Sequence, residues 1–184
     1  MTGSARRGDG QRRGRRTRQR SAAAGTAVFF LVAPGVVAGL IPWWITGWDA
    51  GDPYPYWLPL RAAGVVLVLA GLPALVGAFA RFVVEGIGTP APVAPTERLV
   101  IGGAYRFVRN PMYLAVGAVI VGQALILGRT VLLLYAGAFA LAVASFVRFY
   151  EEPALLAQFG SQYEDYRRAV PRWRPRLTPW SPGG

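Results

Sequence analysis

Two short stretches of this sequence hold side chains able to do chemistry. Residues 102–113 read GGAYRFVRNPMY and residues 150–153 read YEEP, each at the edge of a long apolar run. Asn110 is a natural helix N-cap and Pro111 suits a first helical turn, so a helix is expected to begin there. Capping does not account for Arg106 and Arg109. A helix N-terminus already favours an anion through its exposed amides and dipole, and two guanidiniums beside it would hold a carboxylate or a phosphate. Glu151 and Glu152 pose the converse problem: adjacent carboxylates at the end of an apolar helix are costly unless they meet cations. Brought together, the two stretches would form a two-signed cluster suited to a zwitterionic ligand with its own carboxylate and cationic centre.

Residue supply closes most other routes. The 184 residues include no cysteine and no histidine, which removes thiolate and imidazole metal sites and Ser-His or Cys-His nucleophile pairs. All 20 basic residues are arginine, so Schiff-base chemistry and a Walker-type lysine are absent as well. Gly86-Ile87-Gly88 has no strand before it and is weak as a nucleotide fingerprint. Neither a metal nor a nucleic acid is expected as a partner.

The elements that must position the cluster are hydrophobic helices. With 53% hydrophobic and 16% charged residues, the expected fold is all-α and polytopic, with about four membrane spans at 22–41, 60–84, 112–127 and 130–150. Pro34 and Pro73 fall inside the first two and are expected as kinks. The segment 42–59 carries Trp43, Trp44, Trp48, Tyr54, Tyr56 and Trp57, the composition of a headgroup-level aromatic belt. Only Gly128-Arg129-Thr130 separates the last two spans, which predicts a tight helical hairpin. That hairpin would return Glu151 and Glu152 to the membrane face that holds Arg106, Arg109 and Asn110.

Charge asymmetry orients the whole. Arginines crowd residues 6–20, the 85–110 loop and the C-terminal segment, whereas Arg129 is the one basic residue expected on the other side; both termini are therefore expected in the cytoplasm of a multi-pass cell-membrane protein. Residues 1–21 are too polar to bury a core and read as a disordered basic tail. Residues 22–85 form two N-terminal spans, 86–176 the chemical core, and 177–184 a flexible tail. Residues 89–95 read as a stiff Pro-rich connector. Residues 154–169 are spaced for an interfacial helix whose Arg167 and Arg168 meet anionic headgroups.

The pieces GGAYRFVRNPMY, YEEP and FGSQYEDYRRAVPRW (159–173), in that order, resemble the isoprenylcysteine carboxyl methyltransferase and phospholipid N-methyltransferase superfamily of integral membrane enzymes. The resemblance covers roughly residues 86–176. It implies an S-adenosylmethionine site at the cytosolic interface and a lipid or lipid-like acceptor. Carried onto matching positions, Gly103, Tyr105, Arg106, Asn110 and Tyr113 would lie against the cofactor, with Glu151 and Glu152 near its cationic end and Arg109 orienting the acceptor or the cofactor carboxylate. Arg109, Glu151 and Glu152 are thus the expected catalytic set. Arg109-Asn110-Pro111 replaces the RHP of the carboxyl methyltransferases and resembles the NPMY of the phospholipid enzymes. Two rival readings are a sterol-reductase-like enzyme using NADPH and a non-enzymatic membrane protein that binds anionic lipid.

Overall fold

The computed structural model describes residues 32–51, 57–86 and 98–181. The basic tail at 1–21, the first half of the expected 22–41 span, Tyr54 and Tyr56 of the aromatic belt, Ile87 and Gly88, the 89–95 connector and the last three residues of the flexible tail lie outside them.

Among the described residues every regular element is helical. The helices are α1 (Val32–Thr46), α2 (Leu58–Gly86), α3 (Pro111–Leu127), α4 (Thr130–Phe159) and α5 (Ser161–Ala169). Two stretches, Leu58–Arg81 and Thr130–Phe159, are long and apolar enough to cross a membrane. In the centre of a soluble protein such helices would be covered, yet only 17% and 11% of their apolar windows are buried. Leu69, Leu72 and Val76 on α2, and Leu134, Leu141 and Phe149 on α4, stand exposed, as side chains facing lipid do. Helices α1 and α3 are apolar but shorter.

The first helix runs past its expected end at Ile41 and stops at Thr46, where Gly47 takes a left-handed conformation. A π turn at Val36–Leu40 precedes Pro42. Proline brings no N–H, so carbonyls one turn back need donors from elsewhere. Gln123 Nε2 of α3 donates to Ala38 O at 2.6 Å, and Tyr135 O–H of α4 donates to Val37 O at 2.8 Å. Two polar side chains inside apolar helices thereby satisfy the backbone of a third.

Helices α3 and α4 form the expected hairpin, with Gly128 left-handed at φ 64° as the turn. The end of the molecule holding this turn is pinned by backbone acceptors: Trp57 Nε1 donates to Leu125 O, Arg129 Nε to Asp49 O, and Arg61 Nη2 to Gly51 O. Arg61 thus joins Arg129 at that end, where the sequence leads one to expect Arg129 alone. A second difference concerns α4. It does not stop at Tyr150 but passes through a π turn, Val147–Glu151, and continues to Phe159. Pro153 falls at the start of the α segment that follows this π turn, the arrangement also seen at Pro42. The single surface helix expected at 154–169 is therefore two pieces, broken at Gly160.

Helices α2 and α3 cross at close range. A Cβ added to Gly64 would lie 2.6 Å from Gly122 O, and one added to Gly122 would lie 2.8 Å from Gly64 O and 2.7 Å from Val68 Cγ2. The two backbones approach as only small residues permit, a common basis of helix association where apolar burial gives no advantage over lipid. Gly122→Val is expected to destabilise the protein by about 2 kcal/mol or more through overpacking. Gly77→Ala, in open space on the same α2, is expected to leave thermal unfolding in detergent unchanged or slightly improved.

Candidate active site

The site lies where the loop before α3, the π turn of α4, α5 and the C-terminal segment meet. The chain enters through Gly102, and Gly103 turns it at φ 57° into a short 3₁₀ turn, Gly103–Arg106. A Cβ on Gly103 would stand 2.9 Å from Arg81 Cγ of α2, so both the dihedral and the space require glycine. Tyr105 is buried in a cluster with Ala78 and Val100, against which Met112 packs.

Asn110 occupies the N-cap position of α3, and Pro111 is the first residue of that helix. The expected side-chain cap does not form. Asn110 is 7% exposed and its Nδ2 donates to Arg172 O at 3.2 Å; the amide ties the loop to the C-terminal segment. The N-terminal amides of α3 are therefore not closed off by Asn110.

The centre of the site is a carboxylate between two guanidiniums. Glu152, 8% exposed, accepts from Arg109 Nη1 at 2.7 Å and from Arg172 Nε and Nη2 at 2.8 and 2.5 Å. Arg109 Nη1 also reaches Tyr163 Oη at 3.3 Å. The Arg109 side chain is itself about nine-tenths buried, and its buried Nε has no hydrogen-bond partner among the described residues. The neighbouring acid is differently placed: Glu151 is half-buried and accepts from Tyr113 O–H at 3.1 Å. The π turn gives these consecutive acids separate partners, one inside an ion cluster and one beside it.

Helix α5 supplies the floor. Gly160, at φ 53° and ψ −127°, reverses the chain after α4 in a conformation that residues with a Cβ rarely adopt. Tyr163 and Tyr166 then pack with Val170, and Tyr166 O–H donates to Tyr105 O at 2.7 Å. Burial pushes both phenols up, with Glu152 adding to the rise at Tyr163, so both stay protonated at neutral pH. Beyond α5 the chain runs back along the loop. Arg109 N donates to Pro171 O, Arg176 N to Phe107 O and Trp180 N to Arg106 O.

Of the residues expected at the site, the fold brings Arg109, Asn110, Tyr113, Glu151 and Glu152 together. Tyr105 and Gly103 build its base. Arg106 points elsewhere: its Nε donates to Trp180 O at 2.7 Å and its Nη2 to Ser181 Oγ. The expected pairing of Arg106 with the two acids does not form, because Trp180 and Ser181 of the C-terminal segment take its guanidinium donors. Arg172 and Tyr163 were missed as site residues. The sequence signal for Arg172 is its place in the VPRW piece, beside its share in the arginine excess of the C-terminal segment.

The profile of the family described as phospholipid methyltransferase matches residues 60–162, more than half of the chain, and the chain belongs to that family. Comparison with curated proteins and with solved structures gave no match.

Replacing Glu152 with alanine would leave the nearly buried Arg109 guanidinium without its carboxylate and beside the partly exposed Arg172, so a loss of about 3 kcal/mol is expected. Glu151→Gln, which weakens one partly exposed hydrogen bond, is expected to cost about 1 kcal/mol or less. Thermal unfolding in detergent separates the two, and equal stability of both variants would contradict the ion cluster.

Proposed function

We propose that the protein transfers a methyl group from S-adenosylmethionine to a lipid or lipid-like acceptor at the cytoplasmic face of the cell membrane. The observation that carries this reading is the sign pattern of the site. Arg109, Arg172 and Glu152 together hold one net positive charge, and Glu151 beside them holds one negative charge. A zwitterionic amino-acid group presents the complementary pair. The donor set therefore fits this cofactor without a metal or an imidazole.

When bound, the cofactor supplies an electrophilic methyl on a sulfonium. The chain's own contribution is positioning and exclusion of water. Arg109 would hold the carboxylate, using donors that Glu152 and Tyr163 leave free. Glu151, held by Tyr113, would face the cationic side. For an amine acceptor Glu151 is also the group placed to take the proton, since Glu152 is occupied by two arginines; a carboxylate acceptor needs no base. Gly103, Tyr105 and Asn110 shape the base of the cradle. Arg106 acts at one remove, by holding the C-terminal segment in place.

The site end of the helices also carries Arg98, Arg148, Arg167, Arg168, Arg174 and Arg176, against Arg61, Arg129 and Asp49 at the other. This imbalance supports a cytoplasmic site and cytoplasmic termini. In this reading α1 and α3 complete four spans with α2 and α4, residues 86–176 form the chemical core, and the two N-terminal spans shape access for the acceptor. The interfacial α5 would place Arg167 and Arg168 at anionic headgroups.

Incubating the purified protein with methyl-labelled cofactor and a membrane extract is expected to label the lipid fraction. Glu151→Gln is expected to cut that labelling by about a hundredfold while the protein stays inserted. Labelling of protein alone would overturn the acceptor class. Stabilisation by NADPH and not by S-adenosylhomocysteine would overturn the reaction.

A further inference from the structure

Arg172 lies ten residues beyond the stretch matched by the family profile, which ends at residue 162, and neither half of the apolar hairpin contains it. It sits on the segment 170–181, which runs antiparallel to the site loop through the backbone bonds at Pro171, Arg176 and Trp180. Asn110 holds the carbonyl of Arg172 itself, so the residue is fixed at its backbone as well as at its guanidinium. Its planar fork meets both oxygens of Glu152, whereas Arg109 reaches only one of them. This asymmetry has a chemical consequence. A lone Glu152 would draw Arg109 into a two-point pair, which is the preferred geometry of a guanidinium with a carboxylate. With Arg172 in place, Arg109 gives Glu152 a single nitrogen and keeps Nε without a partner among the described residues.

We propose that Arg172 is a positioning residue: by saturating Glu152 it reserves Arg109, and one unit of positive charge, for the carboxylate of the bound cofactor. This inference rests on the methyltransferase reading above and goes beyond it by dividing the work of the paired acids. Glu152 becomes the anchor of two arginines, and Glu151 alone remains to face the ligand. The C-terminal segment thereby belongs to the binding site, although it contributes no group that touches the reacting atoms.

The test uses the full-length protein in detergent and two probes. S-adenosylhomocysteine carries the amino-acid carboxylate, and methylthioadenosine lacks the amino-acid group. Arg172→Gln is expected to weaken S-adenosylhomocysteine by about tenfold and to leave methylthioadenosine unchanged. Glu152→Gln combined with Arg172→Gln restores the net charge around Arg109 and is expected to recover most of the lost affinity. Arg172→Lys, which keeps the charge without the fork, is expected to fall between and carries the comparison should the glutamine variant unfold. Wild-type affinity for S-adenosylhomocysteine in Arg172→Gln, or parallel loss of both probes, would overturn the assignment. Failure of the unaltered protein to bind either probe would overturn the methyltransferase reading itself, and this assignment with it.

Discussion

A carboxylate that is 8% exposed at the end of an apolar helix must be neutralised, and Glu152 is neutralised by arginines from two other parts of the chain. Isolated burial of such a group costs several kcal/mol, so the cluster forms as a unit or not at all. Its geometry therefore fixes three segments at once: the loop that precedes α3, the π turn of α4 and the C-terminal segment. Helix packing brings these parts into range, and the requirement for charge neutrality locks their register.

The remaining architecture follows from how apolar helices satisfy their own backbones. Pro42 and Pro153 each interrupt a helix, and each is accompanied by a π turn just upstream. At the first, Gln123 and Tyr135 supply the donors that proline cannot. At the second, the change of register aims Glu151 and Glu152 at different partners. A π turn beside a functional cluster is a recurring device, and here its effect is legible: two adjacent acids of identical chemistry acquire different burial and different neighbours. The close approach of α2 to α3 at Gly64 and Gly122 locks the two helices together toward the Gly128 turn, at the end away from the site.

Much of this was readable in the sequence. The hairpin followed from the brevity of Gly128-Arg129-Thr130, and the meeting of Arg109 with the paired acids followed from the hairpin. What could not be read was the path of the C-terminal segment. Hydrophobic periodicity carries no information about residues 170–181, which are held by backbone and guanidinium hydrogen bonds. Hence Arg106 was assigned to the acids although Trp180 and Ser181 claim it, and Arg172 went unassigned. Asn110 misled in a similar way: its local propensity is to cap, but a carbonyl 62 residues away is the acceptor it finds. The helix expected to end at Ile41 continues to Thr46, and tertiary donors that periodicity does not announce, Gln123 and Tyr135, serve the carbonyls upstream of Pro42.

The central claim is that Arg109 and Glu152 are directly coupled across the fold. A double-mutant cycle on unfolding in detergent, with Arg109→Gln, Glu152→Gln and the two combined, measures that coupling without reference to any ligand. The structure predicts an interaction energy of about 1.5 kcal/mol or more. A value indistinguishable from zero, with the single substitutions simply additive, would contradict it.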